Sequence, residues 1–189
     1  MTTGVKVPAR ERLLAAAEEV FFRRGIRATG VDEVLRTANV SAASLYSHFG
    51  SKDGLVAEAL RVRLAEWQSV WDECAVNAGS DLDRLLSVFD ALAAFRARPP
   101  AARWCAFLAT ATELPDAGAE IAAVLAADTE LLADRLRHFA RPLAGDRAAD
   151  LAGDVVLAYN GTLAAYLRGY PASPIEAGRR VAAAAAAAY

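Results

Sequence analysis

The sequence predicts an all-α protein, and three features of it carry that prediction. Good helix formers dominate, with the composition tilted to Ala, Leu and Arg and only 12 Gly and 7 Pro in 189 residues. Apolar residues recur at three- and four-residue spacing in segment after segment, without strand-like alternation. Capping residues open these segments, and Gly, Asn or Pro closes them. With 55% hydrophobic and 23% charged residues the chain has material for a packed core, which excludes wholesale disorder.

The elements follow in order. Ala9 to Arg24 carries an apolar stripe of Leu13, Leu14, Ala17, Val20 and Phe21, and Gly25 stops it. Thr29 is the expected cap of a second helix whose apolar face is Val31, Val34, Leu35 and Ala38. Asn39-Val40 breaks that helix, Ser41 opens a very short third one through Phe49, and Gly50 ends it. Ser51 caps a fourth that runs well past Leu64. The connection between the second and third helices is so short that they must cross steeply. One small core is expected from Leu14, Val20, Phe21, Val34, Leu35, Val40, Leu45, Phe49 and Leu55.

The rest of the chain also reads as helix. Ser80 with Asp83 begins a segment ending near Arg98, before Pro99-Pro100. Ala101 to Leu114, Ala117 to Arg141 and Asp146 to Tyr170 follow. The last starts at Ser173-Pro174-Ile175-Glu176, a capping box with Pro at the first helical position, and runs to Tyr189. About nine helices are expected in all, divided into residues 1–55 and a larger helical domain, residues 56–189.

Charge and cysteine usage narrow the chemistry. The net charge is −2, yet the first 55 residues hold eight Lys/Arg against six Asp/Glu, so the excess positive charge lies at the N-terminus. That sign suits a nucleic-acid-facing end on an acidic body. Cys74 and Cys105 form no metal-ligand pattern, so no metal and no disulfide framework is expected. No apolar stretch reaches the ~18 uncharged residues of a membrane span, and the start lacks the apolar core of a signal peptide. A cytoplasmic protein without a cofactor is expected. No nucleophile elbow, phosphate loop or paired carboxylates appear, which speaks against an enzyme. A helical adaptor that binds only protein remains compatible with the C-terminal part.

One stretch is specific. Thr29 to Leu55 reads TGVDEVLRTANVSAASLYSHFGSKDGL. It resembles the DNA-binding module of the TetR family of bacterial repressors, matching that pattern at Ala38, Val40, Ser41, Leu45, Tyr46, His48, Phe49, Ser51, Lys52, Asp53 and Leu55. Phe21-Phe22-x-x-Gly25 is similar to the end of the family's first helix. Asn39 replaces the usual turn Gly, and Ala42 and Ala43 stand where basic residues and Gly are common.

The resemblance implies an N-terminal three-helix helix-turn-helix whose third helix enters the major groove. The implied DNA-facing residues are Thr29, Arg36, Thr37, Ser41, Ala42, Ala43, Ser44, Tyr46, Ser47, His48 and Lys52. Ser41 caps the short helix, and Lys52 is expected on a phosphate. It further implies a homodimer through the last two helices on palindromic double-stranded operator DNA, with a small apolar or aromatic effector as second partner. Val155, Leu157, Ala158, Leu163 and Leu167, with the small residues Gly153, Gly161, Ala164 and Ala165 and the Ala182–Ala188 run, support such packing independently. An effector pocket needs apolar walls and a few polar groups. The candidates are Trp67, Trp71, Phe89, Trp104, Phe107 and Tyr159 for the walls, with Thr110, Glu113 and Asn160 as polar groups.

Overall fold

The computed structural model describes residues 7–98 and 105–189. Among these residues it holds nine α-helices: α1 Ala9–Arg24, α2 Val31–Ala38, α3 Ala42–Phe49, α4 Lys52–Val76, α5 Asp81–Arg96, α6 Ala106–Glu113, α7 Ala119–Ala144, α8 Ala148–Arg168 and α9 Pro174–Ala186. A short 3-10 turn, Gly145–Arg147, joins α7 to α8. The all-helical expectation holds throughout the described residues.

Local chemistry places most boundaries. Gly25 ends α1 at φ 103, a value that L side chains avoid. Ser41 Oγ accepts from Ser44 N at the start of α3, Ser51 Oγ from Gly54 N at the start of α4, and Ser80 Oγ from Asp83 N at the start of α5. Two expected caps are absent. Gly30, not Thr29, is the N-cap of α2 and supplies no side-chain bond, and Ser173 makes none at α9, which relies on Pro174 at its first position. Helix α7 runs three residues beyond Arg141 and includes Pro142 in its last turn. On α7, Asp134 pairs with Arg137 at 2.6 Å.

The described residues gather into two compact units. One combines the chain up to Arg63 with Ala106–Leu125, and the other combines Leu64–Cys105 with Ala126–Tyr189. In the first, α1 buries Leu13, Ala17, Val20 and Phe21 against Val34 and Ala38 of α2, Leu45 of α3, and Leu55 and Leu60 of α4. Leu14, Leu35, Val40 and Phe49, expected in this core, are only half-buried. The Arg10 guanidinium lies 5.8 Å above the Phe49 ring and covers it.

The second unit is built around aromatic side chains. Trp67, Trp71, Phe89, Phe139 and Tyr159 are buried there with Leu85, Leu136, Leu151, Val155 and Leu163. The Trp67 ring centre lies 5.7 Å from Trp71 and 5.6 Å from Phe95. Trp71 Nε1 donates to Ser87 Oγ at 3.0 Å, which satisfies the one polar atom of a fully buried indole. Gly178 lets α9 come close: a Cβ there would overlap Thr162 Oγ1 of α8 and sit 2.9 Å from Phe89 Cε1 of α5. Next to it, Arg179 Nη1 donates to Asp90 at 2.6 Å and to Leu86 O at 3.2 Å, tying α9 to α5.

Candidate nucleic-acid interface

At eight residues α3 is far shorter than the ~12–15 that an isolated helix needs in water. Its neighbours must therefore hold it. Leu45 is its only buried residue and is wholly inaccessible, so one side chain anchors the helix to α1 and α2. Asn39 adopts φ 51, ψ 55, the left-handed conformation that Asn tolerates best after Gly. Arg12 secures the same turn from α1, its Nη1 donating to Ala38 O at 2.9 Å and Asn39 O at 2.7 Å. The sequence reading passed over Arg12; its one visible signal is a cation beside Leu13 on the stripe of α1.

Because Leu45 alone points inward, the other side of α3 is left to solvent. Ala42, Ala43, Tyr46, Ser47 and His48 are exposed, as are Ser41 before the helix and Arg36 and Thr37 on the last turn of α2. Tyr46 is 54% exposed, unusual for a large aromatic without a partner surface. Ser44 is half-buried with its hydroxyl 3.2 Å from Ser41 Oγ. The surface thus offers the three hydroxyls of Thr37, Ser41 and Ser47, a phenol, an imidazole, one guanidinium and the amides of a helix N-terminus. Groups of these types are able to hydrogen-bond to base edges and phosphates.

Two residues expected to face DNA are instead used within the module. Thr29 is 1% exposed, and its hydroxyl donates to Gly25 O at 2.7 Å, closing the α1–α2 loop. Lys52 is half-buried, with Nζ 2.6 Å from Ile26 O and 2.7 Å from Thr29 O. The C-terminal end of α1 and its loop leave carbonyls without helical partners, and an ammonium at the start of α4 is within reach of them. Spacing along the chain does not reveal this contact, because it joins residues 23 and 26 positions apart.

The effector candidates divide between the units. Phe107 and Thr110 are buried on α6, where the Thr110 hydroxyl donates to Ala106 O of its own helix. Glu113 departs from the expectation: its Oε2 accepts from the Arg27 amide at 3.0 Å, so it closes on the α1–α2 loop. In the second unit Trp67, Trp71, Phe89 and Tyr159 are buried together, with Asn160 half-buried beside them in sequence. Trp104 lies outside the described residues. Among the described residues no cluster of His, Cys, Asp or Glu suits a metal, and no helix is long and apolar enough to cross a membrane.

Three short helices locked by Leu45, Asn39 and Arg12, with the third offering its outer face, define a helix-turn-helix module. Residues 13–59 match the sequence profile of the bacterial regulatory proteins of the tetR family. The HTH-type transcriptional regulator QacR of Staphylococcus aureus is 32% identical over 75 residues, 40% of either chain. The HTH-type transcriptional repressor KstR2 of Mycolicibacterium smegmatis is 35% identical over 88 residues, 47% of this chain and 42% of that one. The match thus spans less than half the length of these relatives. The fold extends further. A TetR-family transcriptional regulator from Streptomyces coelicolor superposes with a TM-score of 0.86 over 95% of both chains at 23% identity. A TetR transcriptional regulator from Legionella pneumophila does so with a TM-score of 0.78 over 96% of this chain and 97% of that one, at 20% identity.

Proposed function

We propose that this chain is a homodimeric, ligand-responsive transcription regulator that reads palindromic double-stranded DNA with α3. The observation that carries the reading is the division of α3 into one buried residue, Leu45, and an outer face of Ala42, Ala43, Tyr46, Ser47 and His48. Arg36, Thr37 and Ser41 border that face and complete the contact set. Thr29 and Lys52 build the module behind it.

Dimerisation is supported by a stripe on α8 that stays outside the fold. Gly153, Leu157, Gly161 and Ala164 recur at helical spacing and are all exposed, and nothing lies within 4 Å of a Cβ placed on either glycine. Leu157 is 71% exposed and Val181 of α9 is 61% exposed. Small residues flanking exposed apolar ones suit close packing of α8 and α9 against their copies in a four-helix bundle. Two protomers would set their α3 helices in successive major grooves ~34–36 Å apart, so a small effector-driven change of separation releases DNA.

The test is a titration of duplex DNA from upstream of the protein's own gene, across a salt series. Two protomers are expected to bind per site, with affinity falling steeply as salt rises. Tyr46→Ala is expected to weaken specific binding by about 1–3 kcal/mol with the fold intact. Lys52→Ala is expected to lower the melting temperature as well as DNA affinity. A chain that binds no duplex at low salt refutes the reading.

A further inference from the structure

Successive residues turn about 100° around a helix axis. Ala42, Ala43, Tyr46 and Ser47 therefore share one side of α3, all four exposed, and Leu45 is turned away from them and buried. The whole helix, Ala42–Phe49, holds no Lys, Arg, Asn, Gln, Asp or Glu. Those side chains carry most hydrogen-bonded base choice in the major groove. Arg and Lys pair with guanine, Asn and Gln with adenine, and Asp and Glu accept from cytosine. Helix α3 therefore has no side chain for two-point reading of guanine or adenine, and no carboxylate for cytosine.

The hydroxyls that flank Ala42 and Ala43 are turned to each other. Ser41 Oγ accepts from the Ser44 amide at 3.3 Å and lies 3.2 Å from Ser44 Oγ. Cations of the same unit are used within the protein. Arg12 holds Ala38 O and Asn39 O, Lys52 holds Ile26 O and Thr29 O, Arg10 pairs with Glu58, and Arg24 pairs with Glu33. Arg36, which borders the face, belongs to α2 and leaves α3 without a Lys or Arg of its own.

The N-terminal end of α3 thus presents a pair of side-chain methyls. Recognition helices contact base edges with their N-terminal residues. In the major groove thymine is the base that displays a methyl, at C5. Methyl against methyl removes apolar surface from water and demands neither a charge nor a hydrogen bond.

We propose that Ala42 and Ala43 select thymine, their side-chain methyls packing against thymine C5-methyl groups in each half-site. The inference deepens the reading of α3 as the DNA-contacting helix and rests on it: it names the base and the two residues that choose it.

The test isolates the methyl from every other feature of the base. The full chain selects duplexes from a random-sequence pool at low salt. The enriched duplex is then remade with deoxyuridine for thymine, one symmetric pair of positions at a time. Deoxyuridine keeps the base pair and the O4 acceptor and lacks only the methyl. At the thymines facing α3 the exchange is expected to lower affinity about fourfold for each methyl removed, so about tenfold or more for a symmetric pair. Ala42→Gly and Ala43→Gly are each expected to bind thymine and deoxyuridine alike, within about twofold, at the position that residue reads. Each should also hold the deoxyuridine duplex within about threefold of the parent, which shows that the variant is folded. Enriched duplexes without thymine in the half-sites, exchanges that all leave affinity within about twofold, or a methyl effect that persists in both glycine variants each overturn the proposal. The deoxyuridine series needs only the parent chain, so it decides the matter even where a glycine variant unfolds. DNA binding without a methyl effect sinks only this assignment, whereas a chain that enriches no duplex sinks the regulator reading with it.

Discussion

Replacing Gly25 by alanine perturbs the joint between α6 and the helix-turn-helix, where two constraints meet. Gly25 has φ 103 and ψ 144, outside the regions open to L residues. Backbone held there costs of order 1–3 kcal/mol for alanine. The added Cβ would also stand 3.2 Å from both carboxylate oxygens of Glu113, tighter than ordinary van der Waals contact. Relief requires Glu113 to retreat from the Arg27 amide, which it now accepts from at 3.0 Å. A hydrogen bond to a charged group is worth about 1.5–3 kcal/mol, less here because Arg27 is exposed and water replaces part of it. The sum is a loss of about 2–4 kcal/mol for Gly25→Ala. Urea unfolding of Gly25→Ala, Glu113→Ala and the double variant reads it. The two are expected to couple by about 1 kcal/mol, since removing Glu113 removes the crowding. A loss below about 1 kcal/mol, or strict additivity, refutes the account of this joint.

Three further outcomes are expected. Gly178→Ala forces a methyl onto Thr162 Oγ1, which is itself bonded to Ala158 O at 2.9 Å, and should destabilise the protein by about 1–3 kcal/mol in chemical denaturation. Leu157→Glu, on the exposed stripe of α8, should convert dimer to monomer in sedimentation equilibrium with an unchanged helical spectrum; a persistent dimer refutes that interface. Asp128→Asn should change how stability depends on pH. The folded pKa of Asp128 stands at about 6, above the ordinary 3.8, so the fold favours the protonated acid. Its favourable contribution is complete below about pH 4 and lost as pH rises through about 6. At pH 8 the asparagine variant should therefore be more stable than the parent by about 1–3 kcal/mol, the lower figure allowing for partial exposure, with the gain disappearing near pH 4. A constant difference across that range sinks the assignment.

What the chain order alone determined is chemistry that acts within a turn or two. Ser41, Ser51 and Ser80 cap the helices that follow them because each hydroxyl reaches an amide three residues ahead. Gly25, Asn39 and Gly50 end helices because their own backbones accept positive φ. Spacing also placed Leu45 inward and Tyr46 outward on α3. Tertiary structure decided the uses of long or isolated polar side chains. Lys52 could reach a phosphate or a carbonyl, and only the approach of the α1–α2 loop turned it to Ile26 and Thr29. Arg12 and Glu113 sit at positions whose meaning comes from residues dozens of places away, and that of Asp128 comes from its burial. A cap is satisfied by its own neighbours, so its sequence reveals it. A buried charge is defined by what surrounds it, and those surroundings exist only once the chain has folded.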